Sequence, residues 1–428
     1  MEAFVTRKKR KSSPEVRHDR PAEVEIEEST DVKLAMLSSL HPTFDQETLL
    51  DFLLAHDGSV KATSQSLRQS QPPKKSGVVA QTSLRSYAVA TTSAGQDSGP
   101  SKKPKLLSRK GATMHFFDPQ DISEHTPCTI IHNFLPPDDA NSLLLELLEE
   151  SKTFGKITFK LFDNVVSSPH TSSFYVGTYD ELDQQKHEYV YNGARLTDVR
   201  KITPQLNKVK DRVRDAVNRE IASRILTHHS GKKLKYQSPA PWSPNAAFVN
   251  CYNGPQENVG WHSDQLTYLG PRAVIGSLSL GVTREFRVRR VLPKEDDGQV
   301  DNPDAEGQLA IHLPHNSLLV MHAEMQEEWK HSIAPATAID PHPIAGNRRI
   351  NITYRDYREE FHPKYTPRCS CDIPCVLRVV QKKKENWGRY FWMCHAGNVP
   401  GKDSCTFFQW ADFDDDGNPI RKQAERKS

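Results

Sequence analysis

Residues 349–355 read Arg-Ile-Asn-Ile-Thr-Tyr-Arg, and polar and apolar side chains alternate along the whole stretch. A period of two predicts a β-strand in which Arg349, Asn351 and Arg355 share one face. Two guanidinium groups that face a protein interior are costly unless they pair with carboxylates. The planar fork of arginine binds a carboxylate through two hydrogen bonds, so the stretch predicts a strand that holds a small dianion.

The surrounding sequence alternates short apolar runs with turn signals and predicts a β-rich domain. Two helical patterns come first, at Pro137–Lys152 and Pro204–Leu226. The predicted strands follow them, at Ala246–Tyr252, Ala273–Leu280, Phe286–Val291, Ser317–Met321 and Arg349–Tyr354. Many short strands behind a few helices indicate a double-sheet β fold with flanking helices.

A candidate metal site lies between these strands. His262 and Asp264 stand two residues apart, so on a strand both side chains would point to the same face, and His331 follows further along. Two histidines and one carboxylate form the facial set that binds Fe(II) and leaves coordination positions open for a 2-oxoacid and dioxygen. Taken alone, a His-x-Asp triplet could equally be a surface loop.

These motifs together, in order and in spacing, resemble the AlkB family of dealkylases. The resemblance covers roughly residues 115–360 and implies an α+β double-stranded β-helix (jelly-roll) core. It implies that iron is bound by His262, Asp264 and His331, which are also the catalytic centre. It further implies that 2-oxoglutarate is held by Asn250, Tyr252, Arg349, Asn351 and Arg355. The other nearby histidines, His312 and His322, are expected to serve structure.

The same resemblance implies oxidative removal of an N-alkyl group from a base, with release of an aldehyde. Tyr189 and Tyr191 stand two apart and could stack a flipped base, although alternating aromatic residues in a strand usually serve core packing. The arginines of residues 284–290 offer phosphate contacts or form a solvated face. Leu266 stands where some DNA-repair relatives carry an acidic residue, so base preference cannot be carried over.

Five of the seven cysteines lie in one cluster near the C-terminal end of the sequence. Four of them, Cys369, Cys371, Cys394 and Cys405, are enough for a tetrahedral zinc site. The motifs at 388–391 and 407–410 resemble those of a GRF-type zinc finger, which implies binding of single-stranded nucleic acid. Cys375 and His395 are spare, and a purely structural zinc site is the alternative. Because its ligands lie outside the oxygenase motifs, we expect a separable recruitment module.

The first third of the chain carries different signals. Residues 1–28 are predicted to be a disordered basic arm whose Arg7–Lys11 run suits nuclear import or nonspecific binding. Residues 29–70 show three short helical patterns and resemble a ubiquitin-binding CUE domain. Its contact residues would be Leu40, Pro42 and Leu67. The alternative is a helical bundle with no partner, and residues 71–113 read as a flexible linker.

The sequence thus predicts a multidomain chain: a three-helix bundle at 29–70, the oxygenase core at 114–362, a small zinc-stabilised β module at 366–412 and a tail at 413–428. A net charge of +3 and a mean hydropathy of −0.67 do not select a partner, and no stretch suggests a membrane helix. Alkylated DNA or RNA is the expected substrate. The competing hypotheses are a noncatalytic scaffold that joins ubiquitin to single-stranded DNA, and a protein or lipid oxygenase.

Overall fold

The computed structural model describes Leu37, Leu49, Leu53, His56 and residues 59–69, 113–161, 164–191, 194–293 and 307–420. The chain divides into two compact units, residues 1–82 and 83–428. In the first unit, helix α1 (Val60–Gln69) contributes Leu67 to a buried cluster with Leu37, Leu49 and Leu53. Leu67 therefore packs inside this unit and not on a contact surface, in contrast to its predicted role. Leu40 and Pro42 lie outside the described residues.

The second unit is built on two facing sheets. The first has five strands, in the spatial order β1 (Thr113–Phe116), β13 (Gln308–Leu313), β12 (Arg284–Arg290), β15 (Trp329–Ile333) and β10 (Val259–His262). The second has seven, in the order β2 (Cys128–Ile131), β14 (Ser317–Met321), β11 (Ile275–Gly281), β16 (Arg348–Arg355), β9 (Ala246–Asn253), β5 (Thr171–Val176) and β8 (Val199–Lys201). Most neighbouring strands run antiparallel, as a jelly roll requires.

Shorter elements surround the two sheets. Two hairpins are formed by β3 (Thr158–Leu161) with β4 (Asn164–Ser167), and by β6 (Val190–Tyr191) with β7 (Ala194–Arg195). The helices of this unit are α2 (Pro119–His125), α3 (Pro137–Glu150), α4 (Tyr179–His187), α5 (Pro204–His228) and α6 (Met325–Glu328). A three-stranded sheet near the end of the chain contains β17 (Val376–Val379), β18 (Tyr390–Met393) and β19 (Phe408–Ala411).

Strand β16 separates two buried layers by simple alternation. Ile350, Ile352 and Tyr354 pack in a cluster that includes the apolar sides of α3 and α5. Arg349 and Arg355, at alternate positions of the same strand, point to the opposite face, between the two sheets. Successive side chains of a strand point to opposite faces, so one strand can seal a core on one side and present charged groups on the other.

The predicted elements are largely confirmed. Both long helices begin at the expected prolines, where a missing N–H costs nothing, and end at Glu150 and His228. All five predicted strands are present, and Ser317–Met321 has the expected bounds. The jelly-roll core is confirmed as well. In the part of the chain that the structure describes, no helix has the length and apolarity needed to cross a membrane.

The cysteine module (residues 366–412) is not separate from the β-rich core, contrary to the expectation from sequence. Leu377, Tyr390 and Trp392 belong to the same buried cluster as Tyr268 and Phe361 of the core. Apolar side chains on one face of a small three-stranded sheet must be covered by something, and here the core covers them. The two parts therefore form one hydrophobic interior.

A turn after the module fastens it further. The backbone N–H of Tyr236 donates to the carbonyl of Asp415 at 3.0 Å, and Arg358 donates to the side-chain oxygen of Asn418 at 2.8 Å. Gly417 has φ 75°, and a Cβ placed there would come within 2.2 Å of the carbonyl oxygen of Tyr236. Only glycine allows this close approach of the two backbones.

Candidate active site

The structure brings together the three residues predicted to bind iron. Strand β10 pairs with β15 so that His262 lies opposite His331. Asp264 follows the end of β10 and is not on the strand, so an irregular segment after His262, and not strand alternation, places its carboxylate. The Nε2 atoms of His262 and His331 each lie 3.5 Å from Oδ1 of Asp264. The three ligand atoms lie within 4.8 Å of one another, which suits a single metal ion.

Hydrogen bonds from surrounding groups orient these ligand atoms. Nδ1 of His262 lies 2.8 Å from the carbonyl oxygen of Gly260, a bond that leaves Nε2 free to bind a metal. The backbone N–H of Asp264 donates to the side-chain oxygen of Gln326 at 2.6 Å. Arg355 donates to Oδ2 of Asp264 at 2.7 Å, so Oδ1 faces the histidines.

The charges of the site favour an ionised Asp264 and a neutral His331. Burial alone would raise the pKa of Asp264, but the Arg355 charge and hydrogen bonds from His262 and His331 hold it well below its ordinary value. Burial, with the charge of His262, lowers the pKa of His331 to about 4. A divalent metal ion requires these protonation states in its ligands.

Arg349 provides the anion site next to the metal ligands. Its side chain is 1% exposed and donates one hydrogen bond, to Oγ of Ser279 at 2.8 Å. Its Nε and the other terminal nitrogen have no partner among the described residues, and its guanidinium lies 5.3 Å from the ring centroid of Tyr252. Burial lowers the pKa of Arg349 to about 10. A buried guanidinium with two nitrogen donors still unpartnered fits an anionic ligand such as a carboxylate of 2-oxoglutarate.

The other residues predicted to hold 2-oxoglutarate divide into two groups. Asn250 and Tyr252 line the cavity described below, as expected, and Arg355 keeps one terminal nitrogen without a partner among the described residues. Asn351 also lines it, but its amide donates to Oγ of Ser277 at 2.8 Å and accepts a bond from Thr353 at 3.1 Å. Asn351 therefore braces the two strands instead of offering a free donor.

A cavity of about 690 Å³ opens between the sheets at these residues. Its lining combines the three predicted iron ligands and Arg349 with aromatic side chains and the β3 hairpin, namely Phe159, Lys160, His170, Tyr191, Phe248 and Phe286. The ring of Tyr191 lies 5.0 Å from that of Phe248. The volume is ample for 2-oxoglutarate and an aromatic base together.

Tyr189 does not line this cavity, although its spacing from Tyr191 predicted a shared face. The paired part of β6 is only Val190–Tyr191, so strand alternation does not extend back to Tyr189. Its ring is 6% exposed, lies 4.6 Å from the ring of Tyr268 and is stacked on Tyr357 at 5.4 Å. Tyr189 therefore supports the wall behind Tyr191, and the packing alternative holds for it.

The arginines of β12 differ from one another, because alternate positions face opposite sides of the sheet. Arg284 is 2% exposed and donates to backbone carbonyls, including that of Ala334 at 2.7 Å, so it serves structure and not phosphate binding. Arg287 pairs with Glu285 at 2.8 Å, and Arg289 lies over the ring of Trp261 at 4.5 Å.

The two histidines expected to serve structure both lie away from the cavity. His312 is on the outer face of the five-stranded sheet, where its Nε2 lies 3.0 Å from Nδ1 of His115. His322 is 2% exposed, and its Nε2 lies 3.1 Å from Oγ1 of Thr129. Burial lowers the pKa of His322 to about 3.

The cysteine module contains a closed thiolate cluster. The sulfur atoms of Cys369, Cys371, Cys394 and Cys405 lie within 4.8 Å of one another. A hydrogen bond from the backbone of Phe407 lowers the pKa of Cys405 to about 6, which favours its thiolate. Four cysteine ligands suit a structural zinc ion. Cys375 is buried nearby but is not part of this set.

The module also reaches into the cavity, which the sequence did not reveal. Arg378 on β17 and Asn398 both line it. Gln381 donates from its amide to Oγ of Ser263 at 3.3 Å and to the carbonyl of Gln326 at 3.0 Å. Burial and the charges of Arg378, Arg289 and Lys382 lower the pKa of Lys330 to about 8. A basic residue in an ordinary strand pattern carries no signal of this placement.

Comparisons with known proteins agree with this geometry. The sequence profile of the 2OG-Fe(II) oxygenase superfamily matches residues 127–355, and that of the GRF zinc finger matches residues 367–414. The chain is 35% identical over 111 residues to "Alpha-ketoglutarate-dependent dioxygenase alkB homolog 3" of Bos taurus, which covers 26% of this chain and 36% of the relative. It is 31% identical over 122 residues to "DNA oxidative demethylase ALKBH2" of Arabidopsis thaliana, covering 26% of this chain and 37% of the relative.

The chain thus matches about a third of the length of these relatives. Among solved structures, that of OsALKBH1 aligns with 54% of this chain and 98% of its own, at 18% identity and a TM-score of 0.35. The match to the superfamily profile spans the jelly roll, the three clustered metal ligands and Arg349. This protein, which also carries a GRF zinc finger, is a member of the 2OG-Fe(II) oxygenase superfamily.

Proposed function

We propose that this protein oxidatively removes alkyl groups from N-alkylated bases in nucleic acid, with DNA as the substrate. The observation that carries the proposal is the cavity itself. The five-stranded sheet supplies His262 and His331, the seven-stranded sheet supplies Arg349, and the aromatic ring of Tyr191 also lines the space between them. The names of two relatives, an alkB homologue and a DNA oxidative demethylase, support the same reaction.

The residues that line the cavity would have three roles. His262, Asp264 and His331 would hold iron(II), and Arg349 would bind a carboxylate of 2-oxoglutarate. Tyr191 would stack on the base, which must leave its duplex or arrive single-stranded to enter the cavity. Such stacking contributes roughly 1–3 kcal/mol per base, and it would orient the alkyl carbon toward the metal.

Iron(II) and 2-oxoglutarate, when bound, would supply the oxidant: one oxygen atom of O₂ would end in succinate as CO₂ leaves 2-oxoglutarate, and the other would insert into the C–H bond of the alkyl group. The product on the base would be a hemiaminal. As its C–N bond breaks, the hydroxyl proton would pass to the base nitrogen, which restores the base and releases an aldehyde.

The direct test is mass spectrometry of methylated oligonucleotides incubated with the protein, iron(II) and 2-oxoglutarate. Single-stranded DNA, duplex DNA and RNA of the same sequence should be compared, each with one methylated adenine or cytosine. We expect restored bases together with stoichiometric aldehyde and succinate, and more product from DNA than from RNA. Turnover of RNA alone would replace the proposed substrate, and turnover of none would overturn the proposal.

Two further roles rest on sequence signals. We propose that Arg7–Lys11 directs the protein to the nucleus, and a fluorescent fusion with these residues changed to alanine tests this by its distribution. We also propose that the cysteine module binds single strands through Lys382–Lys384 and the exposed Arg389, whose guanidinium lies 3.9 Å from the ring centroid of Trp410. The affinity for single strands should fall as the salt concentration rises, and this fall should be less steep for Arg389→Ala than for wild type.

A further inference from the structure

The cysteine module forms part of the cavity wall, and this placement is more specific than a docked recruitment domain requires. Its strand β17 contributes Arg378, and the short 3-10 turn at Ala396–Asn398 contributes Asn398. These two residues lie on a wall shared with Lys160 of the β3 hairpin, which itself approaches Asp403 of the module at 3.8 Å. The module thus borders the cavity from two sides.

The side chain of Arg378 is half-buried, and no carboxylate of the described residues pairs with it. Among the described residues it has no ion pair and no hydrogen-bond partner. Burial lowers its pKa, and an electrostatic contribution from Tyr191, the residue that would stack on the base, acts against this. Lys330 of β15 lies near it, since the charge of Arg378 helps to lower the pKa of that lysine. Cations that lie close together repel one another until an anion binds.

We propose that Arg378 binds a phosphate of the nucleotide whose base occupies the cavity, so that the cysteine module is part of the substrate site itself. The inference rests on the proposed function for its ligand class, a nucleic-acid phosphodiester. The guanidinium fork suits phosphate oxygens, and the neighbouring Tyr191 places the base next to them. A base and its own phosphate are then held by two different domains.

The contacts of Gln381 explain how the module keeps Arg378 in place. The side-chain amide of Gln381 donates to Oγ of Ser263 at 3.3 Å and to the backbone carbonyls of Gln326 and Glu327 at 3.0 and 3.2 Å. Tyr390 adds a hydrogen bond from its hydroxyl to Glu327 at 3.0 Å. Because Ser263 lies between His262 and Asp264, the module and the predicted iron site share one rigid support. Arg378 therefore has a fixed distance from the cavity, which a flexibly tethered finger would not have.

The experiment compares Arg378→Ala with Lys402→Ala in the full chain. Both remove a basic side chain from the same module, but Lys402 is exposed and does not line the cavity. The substrate is a trinucleotide with a central methylated base, which is too short to cover the module's outer surface. We expect Arg378→Ala to raise KM for the trinucleotide at least about tenfold, and Lys402→Ala to leave it unchanged. Zinc content and the thermal unfolding midpoint verify that both variants are folded.

A trinucleotide in which one phosphate is replaced by an uncharged methylphosphonate distinguishes phosphate binding from other roles of Arg378. Trinucleotides with a methylphosphonate on either side of the methylated base should bind wild type more weakly at one of the two linkages, and Arg378→Ala should be insensitive to that change. If the methylphosphonate weakens trinucleotide binding by wild type and by Arg378→Ala equally, or if Arg378→Ala and Lys402→Ala behave alike on the trinucleotide, the proposal is overturned.

A binding assay separates this inference from the proposed function. Fluorescence anisotropy with an unmodified, labelled trinucleotide and iron-free protein requires no turnover. If the wild type oxidises none of the methylated substrates yet binds this trinucleotide in an Arg378-dependent manner, the proposed function fails and the phosphate site stands. If Arg378→Ala does not weaken this binding, the phosphate site fails irrespective of turnover.

Discussion

Two candidate metal sites in the described part of the chain differ in their ligands and surroundings. In the thiolate cluster, four sulfur atoms from one short stretch lie within 4.8 Å of one another. At the His262 site, two histidines and one carboxylate supply three ligand atoms, which border a cavity that Arg349 also lines. A closed site can only stabilise, whereas an open one can bind a reactant. The number of protein ligands and the presence of open coordination positions therefore distinguish a structural metal site from a catalytic one.

The largest expected effect comes from removing one ligand at the open site. His262→Ala should lower base restoration at least about a thousandfold, because two remaining ligands cannot hold iron in a reactive geometry. The side chain of His262 is 38% exposed, so its loss should leave the thermal unfolding midpoint near that of wild type. His115→Ala, on the outer face of the same sheet, is the matched control and should retain turnover. Full activity in His262→Ala with iron supplied would refute the metal assignment.

Breaking the closed site should have a smaller effect on turnover and a larger one on structure. Cys394→Ser should lose zinc and unfold the module, since so small a sheet depends on its metal. Because the module borders the cavity, turnover should also fall, by about 10–100-fold, as for supporting groups around a metal site. Metal analysis and turnover are measured on the same preparation.

Cys375→Ser is the control for that experiment. Cys375 is also buried in the module but lies outside the four-sulfur set, so this variant should keep its zinc. Equal zinc content in Cys394→Ser and Cys375→Ser would contradict the assignment of the ligands. Unchanged turnover in zinc-free protein would show that the module is separable after all.

A smaller effect is expected from weakening the anion site without removing its charge. Arg349→Lys should raise KM for 2-oxoglutarate about tenfold, because an ammonium group cannot form two parallel bonds to one carboxylate. Arg348→Lys is the control, since alternation along β16 places Arg348 on the opposite face. Steady-state kinetics with 2-oxoglutarate varied gives both values, and equal KM in the two variants would place the anion site elsewhere.

The smallest effect concerns a histidine that serves packing and not metal binding. Burial lowers the pKa of His322 to about 3, so below its unfolded pKa of about 6.5 the unfolded chain takes up a proton that the folded chain refuses. The contribution of His322 to the free energy of unfolding is therefore fully present above pH 6.5, and it falls by about 1.4 kcal/mol per pH unit below that pH. His322→Asn should have a flatter stability profile between pH 6.5 and 4 in urea unfolding. A profile parallel to that of wild type would mean that His322 protonates freely in the folded state.

Sequence reasoning located most of the site because its signals are local. The alternation at residues 349–355 fixed the two faces of β16, and the spacing of Asn250 and Tyr252 did the same for β9. It was wrong at Tyr189, because the paired strand begins after it. It also assumed that Asp264 lies on a strand, whereas this residue lies in an irregular segment whose backbone N–H at Asp264 donates to Gln326.

The sequence by itself determined the jelly-roll class, the candidate metal ligands, the buried guanidinium of Arg349 and the four cysteines. Each of these depends on residue type and on spacing within one element, which strand and turn geometry convert directly into direction. Only the tertiary structure decided that Arg378 and Gln381 belong to the cavity. Their placement follows from which surface covers the apolar face of the cysteine module, and a packing choice between distant segments leaves no local pattern in the sequence.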